Sequence, residues 1–306
     1  MDASSTLVAL AFPGAGIQAS GYETAFMMQE DAAIRPLLQQ ASLRVNADLV
    51  AAVPGGFEEL PQQAGQAFTF AYGVGMAQAV RRRGLNPVAV AGHSLGVYAA
   101  VVAAGATGFD EGLALVQTAW RAAAQACAGK GVGMAAIAGL PESEVAALRA
   151  VDGESVRIVL VNGTGSVVIA GPMEGIEAAL TAARAAGAVR TACLDREVAY
   201  HHPLYMSEAA AELRDAAGAM AFCGAEVPVA STVDGRLLTV ADEVRDFLAA
   251  NLCTPIGWPR AMNAFLRLGV TSVVECGPGL TLTRMARFLE PEMAWLNVRR
   301  LVKEQA

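Results

Sequence analysis

A glycine-flanked serine is the residue whose surroundings most clearly suggest chemistry. Residues 92–96 read Gly-His-Ser-Leu-Gly, the G-x-S-x-G pattern in which a sharp strand-to-helix turn lifts a serine hydroxyl out of a sheet. The turn needs small neighbours because bulky side chains would obstruct it. A helix beginning directly after the serine would offer free backbone N–H groups to an oxyanion. The pattern therefore predicts that Ser94 is a nucleophile.

A serine nucleophile needs a base within hydrogen-bonding reach, and the chain has only three histidines. His93 lies inside the serine motif itself. His201 and His202 are neighbours and immediately precede Pro203. The residue types leave His201 and His202 as the candidate bases. The alternative is that both histidines simply cap a surface helix that begins at Pro203.

The segments around these residues predict the elements that position them. The apolar run 87–91 before the serine predicts a strand. Another apolar run, 6–12, ends in Pro-Gly-Ala-Gly, which predicts a buried parallel strand followed by a tight loop. The helices predicted before residue 130 are short pieces within 22–50 starting at Pro36, then 62–83, 97–104 and 110–128.

The pattern changes after residue 130. Between 134 and 194 the predicted order is strand, helix (141–150), strand, strand, helix, strand, which is typical of a ferredoxin-like unit. The fold class predicted is α/β: an α/β-hydrolase-like core with a nucleophile elbow, plus an inserted ferredoxin-like α+β subdomain. Residues 1–130 and 195–306 are assigned to the large catalytic subdomain, and residues 131–194 to the small one.

Composition excludes several classes of protein. Hydrophobic residues make up 54% of the chain, yet no apolar run reaches the roughly 20 residues of a membrane span. Asp2 stands where a signal peptide would be basic, so a cytoplasmic protein is expected. The five cysteines are scattered, which disfavours a zinc site or a disulfide framework. A net charge of −7 disfavours nucleic acid as a partner.

Four motifs, in this order, resemble those of one family. They are Phe-Pro-Gly-Ala-Gly-Ile-Gln at 12–18, Gly-His-Ser-Leu-Gly-Val-Tyr-Ala-Ala at 92–100, Ala-Tyr-His-His-Pro-Leu at 199–204 and Glu-Cys-Gly-Pro-Gly at 275–279. The chain resembles malonyl-CoA:ACP transacylases and the acyltransferase domains of polyketide synthases over nearly its whole length. This resemblance implies that Ser94 is acylated and that His201 is its general base.

The resemblance also implies roles for residues that the local pattern does not reveal. It places the oxyanion hole at the backbone N–H groups of Ala15 and Leu95. The family has glutamine where Ala15 stands, but a backbone donor does not depend on its side chain. Residues with implied supporting roles are Gly257, whose carbonyl would steady the base, Asn162 near the histidine, and Gln66 in the pocket.

The chain departs from the family where the family binds a free carboxylate. Three residues beyond Val116 the family carries an arginine that clamps the malonyl carboxylate, but this chain has Ala119 followed by Trp120. Arg121 lies about 200° further round the helix. Together with Tyr200, these residues predict an apolar acyl pocket for a group without a carboxylate. The alternatives are that the register slips and another arginine substitutes, and that Trp120 and Tyr200 are ordinary core residues.

Basic residues interrupt this acidic chain near its C-terminus. Arg284, Arg287 and Arg299 are predicted to meet an acidic acyl carrier protein, since complementary fields orient such encounters. The alternative is a solvated charged face.

The predicted activity is a ping-pong acyl transfer through an ester on Ser94, in polyketide biosynthesis. The acyl group, of starter acyl or aminoacyl type, would move from a thioester to or between carrier proteins. No metal or redox cofactor is expected, since the substrate itself carries phosphopantetheine or coenzyme A. Three alternatives remain: a malonyl-CoA:ACP transacylase, an acyl-carrier hydrolase with the same two catalytic residues, and a non-catalytic binding module.

Overall fold

The computed structural model describes residues 7–148, 150–195, 197–289 and 293–303. The strands of the larger sheet within these residues are β1 (Val8–Phe12), β2 (Pro87–Gly92), β7 (Val229–Ala230), β8 (Leu237–Leu238), β10 (Ser272–Glu275) and β11 (Ala294–Leu296). Their order is β11-β10-β1-β2-β7-β8, and all neighbours are parallel except β7 and β8. Strand β1 is buried along its whole length, as expected for a parallel strand covered on both faces.

Helices surround the larger sheet. They are α1 (Glu23–Gln29), α2 (Asp31–Val45), α3 (Leu49–Ala52), α4 (Gln62–Arg82), α5 (Gly96–Ala103), α6 (Phe109–Cys127), α9 (Pro203–Gly218), α10 (Ala241–Cys253), α11 (Trp258–Arg267), α12 (Thr281–Met285) and α13 (Val298–Lys303). Helix α4 packs against α2, α5 and α6, which explains why most of its residues are buried. Helix α9 packs between α6 and α10.

The smaller sheet is built mainly from the insert. Its elements are β3 (Val132–Ala138), α7 (Glu142–Ala146), β4 (Arg157–Gly163), β5 (Ser166–Pro172), α8 (Met173–Ala185), β6 (Arg190–Asp195) and β9 (Ile256–Gly257). The strand order is β6-β3-β5-β4-β9, with the first four strands antiparallel to their neighbours. This is the ferredoxin-like arrangement that the sequence predicted. Strand β9, from the large part of the chain, pairs parallel to β4 and joins the two units.

Two predicted helix boundaries are wrong. Pro36 lies inside α2 rather than at its start. A proline there removes the hydrogen bond to the carbonyl of Ala32, but both residues are on the exposed face of α2, where water can satisfy the carbonyl. Helix α7 covers Glu142–Ala146, much less than the predicted 141–150.

Candidate active site

Ser94 lies on a strained turn between β2 and α5. Its φ is 52°, in the left-handed region that non-glycine residues rarely adopt. A Cβ on Gly92 would lie 2.1 Å from the backbone nitrogen of Val97, and one on Gly96 would lie 2.1 Å from the carbonyl oxygen of Phe12. Both glycines are therefore required, because the turn passes directly against other backbone.

His201 is the partner of the serine. Its Nε2 lies 2.8 Å from the Ser94 Oγ, and its Nδ1 lies 2.5 Å from the carbonyl oxygen of Asn251. A carbonyl can only accept, so Nδ1 carries the proton and Nε2 presents its lone pair to the hydroxyl. His201 also has a positive φ, 62°. Both members of this pair are thus held in uncommon backbone conformations, a feature that clusters at active sites.

Burial keeps the His201 ring neutral. Only 2% of the residue is exposed. The pKa of His201 is lowered to about 4, mainly by burial; the nearby His93 acts in the same direction, and the hydrogen bond to Asn251 opposes the shift. The ring is therefore an available proton acceptor at neutral pH. When it accepts the Ser94 proton, the Asn251 carbonyl and the C-terminal end of α10 stabilise the resulting imidazolium.

Asn251 is the functional residue that the sequence interpretation missed. The predicted carbonyl was that of Gly257, which is wrong, because Asn251 supplies the acceptor for Nδ1. The last four carbonyls of a helix lack intrahelical partners, and α10 ends at Cys253. The Asn251 carbonyl accepts a hydrogen bond from the His201 side chain, and the Leu252 carbonyl accepts one from the His201 backbone N–H at 2.9 Å.

The Asn251 side chain reaches the serine as well. Its Nδ2 donates to the Ser94 carbonyl at 3.4 Å, and its Oδ1 accepts from the Thr232 hydroxyl at 3.3 Å. Asn251 is buried and contacts both Ser94 and His201. We call Ser94, His201 and Asn251 the reacting end of the site.

His202, the other candidate base, has a structural role. Its Nδ1 accepts the Leu204 N–H at 3.3 Å and so caps α9. Its Nε2–H donates to the carbonyl of Ser155 at 3.2 Å. Both ring nitrogens are therefore occupied within the fold, and His202 is the residue that caps the helix at Pro203.

Asn162 binds a different histidine from the one expected. The His93 Nε2–H donates to the Asn162 Oδ1 at 2.9 Å, whereas the resemblance placed this asparagine beside the base. Burial lowers the pKa of His93, so this ring is also neutral near pH 7. Both residues lie on the wall of the cavity described next.

The Ser94 and His201 side chains line a cavity of about 510 Å³. Ala15 is on its wall too, in a loop so close to the elbow that a Cβ on Gly14 would lie 3.0 Å from the His93 carbonyl oxygen. Leu95 directly precedes α5, a position at which a backbone N–H has no intrahelical partner. These are the two residues predicted to form the oxyanion hole.

Four polar side chains line the part of the cavity that we call the acyl wall: Gln62, Gln66, Asp195 and Tyr200. The Gln66 Nε2 donates to the Tyr200 Oη at 3.5 Å. The pKa of Tyr200 is raised to about 12, mainly by burial and in part by the charge of Asp195, while the hydrogen bond with Gln66 acts in the opposite direction. The phenol therefore remains protonated and available as a hydrogen-bond donor.

Two of the predicted pocket residues lie behind this wall rather than on it. Ala119 is buried, and neither it nor Trp120 is among the described residues that line the cavity. The Trp120 Nε1–H donates to the Gln62 Oε1 at 3.4 Å. Of the three predicted pocket residues, only Tyr200 is on the wall.

The three predicted carrier-binding arginines are exposed. Arg284 lies on α12, whose Thr281 and Met285 line the cavity. Arg287 follows α12 in the chain, and its guanidinium carbon lies 4.7 Å from the centroid of the Phe288 ring. Arg299 lies on α13 and stacks over the ring of Tyr22.

The described residues contain neither a candidate metal site nor a candidate membrane span. No three His, Cys, Asp or Glu side chains are grouped so that they could hold a metal ion. Among the helices described, none is both long and apolar enough to cross a membrane.

Known proteins share this sequence and this fold. A malonyl CoA-acyl carrier protein transacylase of Salmonella typhimurium is 34% identical over 291 residues, which covers 92% of each chain. The structure of an acyl-carrier-protein S-malonyltransferase from Burkholderia pseudomallei has a TM-score of 0.87 at 29% identity, covering 97% of this chain and 99% of that chain. A type II PKS acyl-carrier protein has been solved in complex with its malonyl-transacylase. That complex gives a TM-score of 0.86 at 28% identity, with 98% and 100% coverage.

The family assignment rests on more than these individual relatives. Residues 11–287 match the acyl transferase domain, and this range includes the elbow, His201 and Asn251. The fold, with its α/β core and ferredoxin-like insert, is that of the solved relatives. The chain therefore belongs to the family of malonyl-CoA:ACP transacylases and polyketide synthase acyltransferases, and it is an acyltransferase.

Proposed function

We propose that this enzyme moves an acyl group without a free carboxylate from a thioester to the thiol of an acyl carrier protein, in polyketide biosynthesis. The observation that carries the transfer chemistry is the Ser94 Oγ placed 2.8 Å from the Nε2 of a neutral His201 on the wall of a cavity. The relatives described above are transacylases of acyl carrier proteins, which supports a carrier protein as the acceptor.

The reaction has two half-reactions that use the same groups. The Ser94 Oγ attacks the thioester carbonyl while the His201 Nε2 takes its proton. The Ala15 and Leu95 N–H groups would donate to the oxyanion. Collapse of the tetrahedral intermediate breaks the C–S bond, and the imidazolium gives the proton to the leaving thiolate. In the second half, the His201 Nε2 takes the proton of the carrier thiol, the thiolate attacks the ester, and the imidazolium returns the proton to the Ser94 Oγ as the C–O bond breaks.

The acyl class is inferred from the charges on the cavity wall. Among the described residues that line the cavity there is no lysine or arginine, but there are two carboxylates, Glu58 and Asp195. Arg121 is exposed and paired with Glu212 on α9, so it does not replace the missing clamp at Ala119. A malonyl carboxylate here would lack a cationic partner, which typically costs several kcal/mol.

Intact-protein mass spectrometry tests this proposal. Wild-type enzyme and Ser94→Ala are incubated with acetyl, butyryl and malonyl pantetheine thioesters, and holo-carrier protein is then added. We expect an acyl adduct that depends on Ser94, forms faster with the neutral groups, persists in buffer and is discharged by the carrier. Efficient malonyl loading would instead indicate a malonyl transacylase like the relatives. Rapid loss of the adduct without carrier would indicate a hydrolase.

We further propose that Arg284, Arg287 and Arg299 receive the acidic carrier. Their positions beside the cavity-lining α12 and on α13 support this docking face. Charge reversal of the three should slow transfer to the carrier and reduce its salt dependence, while transfer to free pantetheine stays unchanged. An equal loss with both acceptors would contradict the docking role.

A further inference from the structure

Asp195 places a negative charge on the acyl wall. It is the last residue of β6, its backbone pairs with Met134 of β3, and both residues line the cavity. The Asp195 charge contributes to the raised pKa values of Tyr200 and of Cys127, which places the carboxylate close to this wall. An aspartate in an acyl pocket requires an explanation, because an apolar acyl chain gains nothing from it.

The two oxygens of Asp195 have different surroundings. The Oδ1 accepts backbone N–H bonds from Glu197 at 2.8 Å and Val198 at 3.0 Å, so it holds the turn after β6. Among the described residues, the Oδ2 accepts one weaker bond, from the Gln62 Nε2 at 3.3 Å. A carboxylate oxygen has two lone pairs, so Oδ2 retains capacity for a second donor.

Neighbouring side chains hold Asp195 in this place. The Trp120 indole donates to the Gln62 Oε1, which turns the Gln62 amide group toward Asp195. The Trp120–Gln62–Asp195 chain therefore starts next to Ala119, the position where the family would carry its arginine. The described residues that line the cavity include carboxylates but no lysine or arginine, so the wall suits a cationic substrate group better than an anionic one.

We propose that the acyl group carries a protonated amine and that Asp195 is the residue that recognises it. This inference rests on the proposed function, since it names the substrate class of the same cavity. An ammonium group would donate to the Asp195 Oδ2 and to the neighbouring Tyr200 Oη. A carboxylated acyl group would be repelled by the negative charge of Asp195.

The test uses thioesters that differ only in charge. The pantetheine thioesters of 3-aminopropionate and 6-aminohexanoate are compared with those of butyrate and heptanoate, in which a methyl group replaces the ammonium. Initial rates of Ser94 acylation are measured by intact mass. We expect at least one amine to react about tenfold faster than its methyl counterpart, as a partly exposed ion pair would allow. Equal rates within both pairs would overturn the inference.

Asp195→Asn assigns the preference to this carboxylate. Asparagine keeps an Oδ1 acceptor for the turn but removes the charge. The variant should lose most of the preference for amines, so that the amine and methyl thioesters of each pair react at similar rates. Asp48→Asn is the matched control, because Asp48 also accepts a backbone N–H, from Ala51 at 3.0 Å, at the start of α3 outside the cavity lining. It should retain the preference.

The outcomes separate this inference from the proposed function. Adducts on Ser94 that form equally well with amines and methyl groups would leave the transferase proposal standing and remove the role of Asp195. A preference for amines that survives in Asp195→Asn would also remove that role. The absence of any Ser94 adduct, with every thioester, would contradict the proposed function itself.

Discussion

The reacting end and the acyl wall share one cavity but are held together by different means. Ser94 and His201 both have positive φ angles, and the His201 side chain bonds to backbone at 2.5 Å. The side chains of the acyl wall bond to one another and to Trp120 at 3.3 to 3.5 Å, and Asp195 alone among them is also described as accepting backbone N–H bonds. Backbone geometry therefore fixes the chemistry, whereas rotatable side chains set the shape and charge that the acyl group meets.

This difference implies that selectivity can change while the reaction is kept. The carbonyls that hold His201 belong to the end of α10, so they move only if the helix moves. Asp195 and Tyr200 can be replaced without breaking a catalytic bond. The comparison predicts large losses of rate from changes at the reacting end, and changes of substrate preference from substitutions behind the acyl wall.

The largest effects are expected for the catalytic pair. Ser94→Ala should abolish the adduct, since no other atom takes its place. His201→Ala should slow acylation by about 10²- to 10⁴-fold, as for loss of a general base. His202→Ala should retain more activity but lower Tm, because it removes the cap of α9. Acylation rates and thermal unfolding check all three, and a His202 variant slower than the His201 variant would reverse the assignment.

A smaller loss of rate is expected for Asn251→Ala. The backbone carbonyl that orients His201 remains, while the side-chain bonds to Ser94 and Thr232 are lost. We expect acylation to fall between about 10- and 100-fold, with the decrease in kcat and little change in KM, since Asn251 is a positioning residue. Thr232→Val removes only the outer bond and should cost less. A pure rise in KM would show that Asn251 acts on substrate binding instead.

Behind the acyl wall, Ala119→Arg with Trp120→Gly should shift preference rather than rate. The guanidinium would offer a bidentate partner to a carboxylate, and glycine would make room for it. We expect malonyl loading to improve about tenfold relative to butyryl, a partial change because Asp195 stays. Arg121→Ala, which removes an exposed arginine paired with Glu212, is the control and should leave the ratio unchanged. An unchanged ratio in the double variant would contradict the placement of the missing clamp.

The smallest effect concerns pH. Because burial lowers the pKa of His201 to about 4, the free enzyme keeps its base neutral well below pH 6.5. Acylation kcat/KM should change less than about threefold between pH 8 and 5.5. An unfolded histidine has a pKa of about 6.5, so the unfolded state binds more protons between pH 6.5 and 4, and Tm should fall as pH drops through this range. A rate profile with an apparent pKa near 6.5 would show an exposed base.

Local sequence determined the elbow and both units of the fold. A strand, a glycine-flanked serine and a helix are adjacent in the chain, and the steric demand that selects Gly92 and Gly96 is met within a few residues. The ferredoxin-like insert follows from the same kind of evidence, the order of short apolar and helical segments. The two histidines could be found as candidates but not separated from the residues alone, and it was the family resemblance that selected His201.

The tertiary structure decided what depends on partners distant in the chain. His201 is in position to act as the base because its Nε2 faces the Ser94 Oγ, whereas the His202 ring is held by Leu204 and Ser155. The acceptor is Asn251 rather than Gly257 since α10 packs against α9 with its orphan carbonyls toward His201. Asp195 follows no motif, and only the pairing of β6 with β3 brings its charge to the cavity. A helix end always leaves carbonyls without intrahelical partners, but tertiary packing determines which side chain donates a hydrogen bond to them.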